Sequence, residues 1–376
     1  MSTIQATNIK SAASASNNIV LDASGNATFA GTAAMGSSFL RNRIINGDMR
    51  IDQRNNGASV TSGFPVDRFQ VYSTQSGKWS AQRSTTAPAG FTNSVIVTSS
   101  SAYSPVASDY FSVATRIEGY NTDDLGWGTA GAKTITVSFW VRSSLTGTWT
   151  GALHNNAFNR VYPFSYSIST ANTWEYKTVT IVGDTSGTWL TDNLVGIEIG
   201  FAFSVGSSGL ATAGSWSSTS NIFGATGQTN LLGTNGATFY LTGVQLEVGT
   251  VATPFERRQF GQELFLCQRY FQRFSAFCGS NFDSFLSYFG GTGTPSATQI
   301  FPVQMRATPT GSFSISTVEY YSYAGVWTST TLVAFPLDAQ RFYFWCLTDG
   351  DGRGKLMRNS GNNVANQPYV SWAAEL

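Results

Sequence analysis

Hydrophobic and polar positions alternate along most of this chain. "TITVSFWVRSS" puts Ile135, Val137, Phe139 and Val141 on one face and Thr136, Ser138, Trp140 and Arg142 on the other. "LVGIEIGFAF" sets Val195, Ile197, Ile199, Phe201 and Phe203 against Gly196, Glu198, Gly200 and Ala202, and "TFYLTGVQLEVG" repeats the pattern. A period of two is that of a half-buried strand. Gly, Ser, Thr and Asn punctuate these runs from about Phe64 to Phe255. The fold class is therefore mainly β, with an antiparallel β-sandwich over 64–258 whose sheets share one core.

Three stretches depart from that pattern, and the last hundred residues resume it. Residues 1–39 are small and polar, with two apolar runs, Ile19-Val20-Leu21 and Ala27-Thr28-Phe29, around the turn signal "DASGN". A lone hairpin is marginal in water, so Ile19, Leu21 and Phe29 are expected to pack on sister chains or on a docking surface. In 40–63, Asn46-Gly47 flanked by Ile44, Ile45, Met49 and Ile51 predicts a connecting hairpin. "FGQELFLCQRYFQRF" predicts a linking helix over 259–275, with Phe260, Leu264, Cys267, Phe271 and Phe274 at heptad-like spacing. That seam is expected to meet neighbouring β-domains and copies of itself, packing within one chain being the alternative. Residues 276–376 return to aromatic-rich strands, a small C-terminal β-domain.

Charge narrows the partners. Only 11% of the 376 residues are charged and the net charge is +1, which lacks the footprint of phosphate binding, so no nucleic-acid partner is expected. A neutral surface of hydroxyls, amides and aromatics suits uncharged ligands such as glycans. The three cysteines, Cys267, Cys278 and Cys346, have no metal-ligand spacing and read as buried thiols, which fits assembly in a reducing cytoplasm. No signal peptide opens the chain and no apolar run approaches membrane-spanning length, so no membrane insertion is expected.

"NRIINGDMRIDQR", "VDRFQVY", "ITVSFWVRSS", "NTWEYKTVTI" and "YLTGVQLEVGTVATPFERRQFGQELFLCQRYFQ" together resemble bacteriophage tail-fibre and related virion proteins with a jelly-roll, carbohydrate-binding-module-like domain. "FPVQMRATPT", "YVSWAAEL" and "NNIVLDASGNATFAGT" are similar to the ends of such fibres. The resemblance implies a virion-located oligomer, commonly a homotrimer. It would have an N-terminal extension (1–39) that docks on other virion proteins and a distal tip (276–376) toward a host surface glycan. It implies no catalytic set and no cofactor. A capsid-decoration or tail-structural protein without a receptor role is one alternative. A polysaccharide depolymerase is another.

Candidate chemistry is sparse. His154, the only histidine, sits in the polar stretch "GALHNNAFNR" and reads as a solvated loop residue, so no triad is expected. Glu198 and Glu247 stand on strands that one sheet would hold together, the pairing a glycosidase needs. Glycan contact by Glu198 over the space left by Gly196 and Gly200, or a salt bridge to Arg142, are the alternatives. Asp349 and Asp351 in "TDGDGRGK" resemble a calcium loop, but Arg353 stands where an oxygen ligand is needed, and no metal is expected. Tryptophans carry more information, because sugar C–H faces stack on indole rings. Trp127, Trp149 and Trp189, in Gly/Thr-rich surroundings, are the leading glycan candidates, with Trp140, Arg142 and Glu198 beside them. Trp140 and Trp174 also suit packing within strands.

Overall fold

The computed structural model describes residues 41–275, 296–313, 338–340 and 374–376, together with the further strands named below. Residues 1–41 and 42–376 are two separate compact units. In the first, β1 (Asn8–Ile9), β2 (Ile19–Leu21) and β3 (Ala27–Phe29) form an antiparallel sheet in that order. Ile19 pairs with Phe29 and Leu21 with Ala27, so the two apolar runs meet as the turn signal between them implies.

The second unit is built on a sandwich. Its strands are β4 (Gly63–Val66), β5 (Phe69–Ser73), β6 (Trp79–Ser84), β7 (Ser94–Ser99), β8 (Tyr110–Glu118), β9 (Ile135–Ser143), β10 (Gly147–His154), β11 (Val161–Ile168), β12 (Glu175–Ile181) and β13 (Val195–Val205). A short parallel pair follows, β14 (Leu210–Ala211) with β15 (Gly224–Ala225), and then β16 (Thr238–Val248). Six strands pair antiparallel in the order β11-β10-β13-β8-β5-β4, and five in the order β12-β9-β16-β7-β6. The alternating residues of β9 and β16, neighbours in the five-stranded sheet, face those of β13 across this sandwich as their period requires. Phe139 of one sheet meets Phe201 of the other at 4.9 Å, edge to face. Trp149 stacks on Phe239 at 5.0 Å. A bulge in β16 between Thr242 and Gln245 keeps Leu241, Val244 and Leu246 all in the core. Gly243, at φ +62°, makes that bulge possible, and its bare Cα lets Phe91 and Trp140 close over it.

The segment 42–59 corrects the expected hairpin. It runs through turns, and Ile44, Ile45, Met49 and Ile51 stand in no strand. Asn46 alone of the Asn-Gly pair has positive φ, whereas the favoured two-residue hairpin turn needs it at both positions. Gly47 serves a different purpose. Its backbone lies against β16, where Val244 N–H donates to Gly47 C=O at 2.9 Å, and a β-carbon there would fall 2.1 Å from Val244 O. Buried backbone without strand pairing must find other partners. The Asn46 side chain supplies three: its amide donates to Ile51 O and Asp67 O at 2.8 Å each, and its carbonyl accepts from Ile51 N at 2.9 Å.

The helix is also corrected. α1 spans Phe260–Gln268 only, and Phe271–Ser275 form β17. Its buried residues are Glu263 and Cys267, one turn apart, while Phe260 and Phe265 are each 55% exposed and Leu264 is half-buried. The buried face follows polar partners. Glu263 Oε1 accepts Asn46 N–H at 2.5 Å and pairs with Arg258 at 3.2 Å. Phe271 is buried in β17 and Phe274 stands in the same strand, so the five expected seam residues do not share one helix face.

Among the described residues nine strands follow: β17 and then β18 (Ser296–Ile300), β19 (Thr310–Phe313), β20 (Val318–Ser322), β21 (Gly325–Ser329), β22 (Leu332–Pro336), β23 (Arg341–Cys346), β24 (Leu356–Asn359) and β25 (Tyr369–Ala373). They make three three-stranded sheets, β17-β25-β19, β18-β23-β22 and β21-β20-β24. Tyr270, just before β17, joins this region to the sandwich: its carbonyl accepts Ala374 N–H at 2.7 Å and its phenol donates to Glu118 Oε2 of β8 at 2.9 Å. The "TDGDGRGK" carboxylates Asp349 and Asp351, together with Cys278, lie outside the described residues.

Two outcomes follow from the buried polar groups. Asn46→Ala removes three hydrogen bonds and leaves their partners buried, so unfolding stability in urea should fall by roughly 2–4 kcal/mol. Asp67 is 1% exposed, and burial pushes its carboxyl up to about 6 against the opposing pull of Arg54 and the Gln53 hydrogen bonds. The folded state thus holds this proton more tightly than the unfolded chain, so Asp67's contribution to stability falls as pH rises from about 4 to about 6 and then levels. Unfolding free energies from urea titrations should show the wild type losing about 3 kcal/mol relative to Asp67→Asn across that range.

Candidate functional site

The outer face of the six-stranded sheet is unusual for its charges. The register places His154, Glu198 and Arg116 side by side on β10, β13 and β8. Arg116 Nε donates to Glu198 Oε2 at 2.6 Å, and Glu198 is only 5% exposed. One row away, Gly200 pairs with Ala114, and these small residues add little bulk above the sheet. Next along, Tyr72 of β5 pairs with Ser112 of β8.

The segment between β13 and β16 covers one side of this face. Ile222 packs on Ala152 and Val161, and Phe223 stacks on Tyr110 with centroids 3.9 Å apart. Between this cover and β5 a cleft of about 270 Å³ remains, lined by Tyr72, Tyr110, Ser112, Arg116, Phe158, Glu198, Asn221 and Phe223. Phe158 and Asn221 both hold positive φ, +52° and +61°. For a bulky phenylalanine that backbone is strained, and such strain persists where the surroundings over-determine a position.

Arg116 and Tyr72 also reach beyond this cleft. The guanidinium sits 5.1 Å from the Tyr72 ring, and its Nη1 donates to Leu376 O at 2.5 Å. A second hollow of about 10 Å³ adjoins it, lined by the same two residues with Phe64, Arg68, Gln70, Ala114, Glu375 and Leu376. Glu375 pairs with Arg54 at 2.6 Å and with Arg68, and Arg306 Nη2 donates to its backbone carbonyl at 2.9 Å. Burial raises the Tyr72 phenol above its ordinary range, so the ring stays a neutral donor.

His154 is corrected. It lies in β10, 1% exposed, with Nε2 2.5 Å from Ile222 O and its ring against Phe158 and Phe223. Burial lowers its proton affinity despite the nearby Glu198, so the imidazole is a neutral support beneath the cleft's cover.

The other sequence candidates scatter over four places. Trp149 is a core residue, fully buried against Phe239. Trp140 and Arg142 stand on the outer face of the five-stranded sheet, with Tyr176 5.4 Å from Trp140 and Tyr240 under Arg142 at 4.9 Å. Arg142 Nε donates to Asn172 O at 2.8 Å, so of the alternatives for Glu198 the salt bridge is made, but to Arg116 rather than Arg142. Glu247, on β16, accepts from Thr253 N–H and Oγ1 and from Gln245. It belongs to the five-stranded sheet and Glu198 to the six-stranded one, so the two carboxylates form no catalytic pair. Of the expected space beside Glu198, the Gly200 side is real. A β-carbon on Gly200 would make only ordinary contacts, the nearest at 3.7 Å, whereas one on Gly196 would strike Thr122 at 2.3 Å.

Trp127 and Trp189 do meet, edge to face at 4.7 Å, with Trp216 joining them at 5.4 and 5.5 Å. Trp127 and Trp189, but not Trp216, border a cavity of about 170 Å³ shared with Thr122, Asp123, Thr129 and Thr191. All three indole N–H groups are spent within the chain, on Lys133 O, Ser186 O and Val182 O. Tyr72, Tyr110, Ser112, Arg116, Phe158, Asn221 and Phe223 are the cleft residues that the sequence reading missed. The alternation of Tyr110, Ser112 and Arg116 in "YFSVATRIE" was the available signal.

Among the described residues no cluster of three His, Cys, Asp or Glu side chains could hold a metal ion, and no helix is long and apolar enough to cross a membrane.

No family model matches this sequence, and no curated protein aligns with it. Among solved structures the chain is similar to the enzymatically active domain of tailspike protein 4 from bacteriophage CBA120, at 12% identity and a TM-score of 0.31, over 56% of this chain and 22% of that one. It is also similar to a putative sugar binding protein from Bacteroides thetaiotaomicron, at 11% identity and a TM-score of 0.34, over 55% of this chain and 100% of that one. A family 11 carbohydrate-binding module from Clostridium thermocellum matches at 14% identity and a TM-score of 0.27, over 54% and 100%. With scores this low, the functional reading rests on the cleft's own residues.

Proposed function

We propose that this chain is a bacteriophage virion protein, a tail fibre or receptor-binding adhesin, that attaches the particle to host surface glycans by non-catalytic contacts repeated over a homotrimer. The observation that carries the glycan reading is the cleft over β5, β8 and β13. It combines ring faces, from Tyr72 and the stacked Tyr110–Phe223 pair, with a guanidinium and a carboxylate already paired to each other. Rings offer stacking to sugar C–H faces. Arg116 donates and Glu198 accepts, which suits the adjacent hydroxyls of a sugar. Their mutual neutralisation favours an uncharged ligand over an acidic one. The Asn221 amide and Ser112 hydroxyl add further neutral polar contacts at the lining.

The virion and trimer parts of the reading draw on the sequence resemblance and on two features of the chain. The sheet of residues 8–29 has strands of two or three residues, small for an independent fold, which suits docking of Ile19, Leu21 and Phe29 on other virion proteins. Phe260 and Phe265, both exposed on α1, give copies an apolar surface to share. Weak single contacts then gain strength through repetition on one particle.

Purified full-length protein applied to an array of bacterial surface glycans should bind neutral oligosaccharides and should block phage adsorption to host cells. Tyr72→Ala should weaken that binding by about ten-fold, the worth of one good ring contact. Gly200→Val should abolish it while leaving the melting temperature near that of the wild type, because its β-carbon meets no clash and β-branched residues suit strands. Binding that survives both substitutions would remove the cleft from the reading. Light scattering should give three times the chain mass, unchanged on dilution, and a monomer would remove the trimer.

A further inference from the structure

We infer that Glu375 and Leu376 form an end wall of the glycan cleft, so that it accepts a terminal sugar or short glycan and rejects the middle of a long chain. The inference rests on the glycan reading above and names the ligand's form. Three observations carry it. First, the cleft and the small hollow beside it lie on the same sheet face and share Tyr72 and Arg116, but one has about 270 Å³ of space and the other about 10 Å³. The second is bordered by Glu375 and Leu376, which lie beyond the shared Tyr72 and Arg116, among Phe64, Gln70 and Ala114.

Second, the wall is anchored by four arginines. Glu375 is held by Arg54 and Arg68, Arg306 grips the backbone carbonyls of Ala374 and Glu375 at 3.0 and 2.9 Å, and Arg116 takes Leu376 O. Arg306 is itself fixed by Asn193 O at 2.9 Å. A long glycan would have to displace several charge-assisted hydrogen bonds to pass this point.

Third, the opposite side is closed as well. Phe158, Asn221 and Phe223 stand there, with His154 Nε2 at the Ile222 carbonyl between the last two and its ring 4.9 Å from that of Phe158. A space of about 270 Å³ walled on both sides lies below the range typical of drug-sized ligand pockets and suits one or two sugar rings. Arg116 therefore works on two fronts, donating to the acceptor that faces the sugar and to the residue that ends the cleft.

The test uses full-length protein and titration calorimetry with glucose, galactose, mannose and N-acetylglucosamine and their linear homo-oligomers from disaccharide to hexasaccharide. For whichever sugar binds, affinity should stop rising at the disaccharide. Leu376→Gly should then raise the ratio of hexasaccharide to monosaccharide affinity about five-fold, and Leu376→Phe, which keeps the wall, should retain the wild-type length profile. Thermal melts confirm that both variants fold. A wild-type affinity that climbs about ten-fold from disaccharide to hexasaccharide overturns the end wall while sparing the glycan reading. An unchanged length profile in Leu376→Gly overturns it too. No binding at any length overturns both.

Discussion

Backbone that is buried without strand pairing has to be answered by side chains, and in this protein that constraint falls on residues 42–54. The answers come from far along the chain. Asn46 turns its amide onto its own loop, Glu263 reaches in from α1, Arg258 donates to Ile44 O and Asn42 O, and Arg273 donates to Arg54 O. Each ties a different element to the same irregular strip. The helix therefore turns a carboxylate inward and two phenylalanines outward, against the usual order of burial. A buried carboxylate is tolerable because it is both paired and hydrogen-bonded.

The same strip leads to the cleft. Arg54 joins Asp67 and Glu375, Arg68 lies over Tyr270 at 3.5 Å while donating to Arg116 O, and Arg116 joins Glu198. Ionic groups thus run from the sandwich's first irregular residues to the outer face of its larger sheet. That face cannot be sealed by apolar cover alone, since Glu198, Arg116 and His154 stand in one row across it. The segment 206–226 covers the histidine side, residues 374–376 cover the arginine side, and the space between is the cleft.

Much of the sandwich was legible because period-two alternation is a local signal. The cores of β9, β13 and β16 follow it, including the opposed faces of Ile197 and Glu198. The signals that failed are those whose explanation lies elsewhere in the sequence. Asn46-Gly47 carries the composition of a hairpin, but Gly47 is there because Val244, almost two hundred residues on, leaves no room for a β-carbon. The apolar stripe of α1 pointed at Phe260, whereas the face was chosen by Glu263 through Asn46. Trp149 sits among Gly and Thr that suggest exposure, yet those small neighbours let its indole sink onto Phe239 of the other sheet. His154 sits among asparagines and is buried by Ile222 and Phe223, which no local pattern announces.

Arg116 has a consequence for how such a surface can diversify. Its three commitments, to Glu198, to the Tyr72 ring and to the main chain of Leu376, make it a fixed point that no single replacement satisfies. Phe158, Asn221 and Phe223 carry no comparable obligations to the chain's closing residues. Novelty in what is recognised is thus channelled to the connecting loops on one flank, while the opposite flank stays constant, and a lineage of such proteins would be expected to vary on one lip of the opening only.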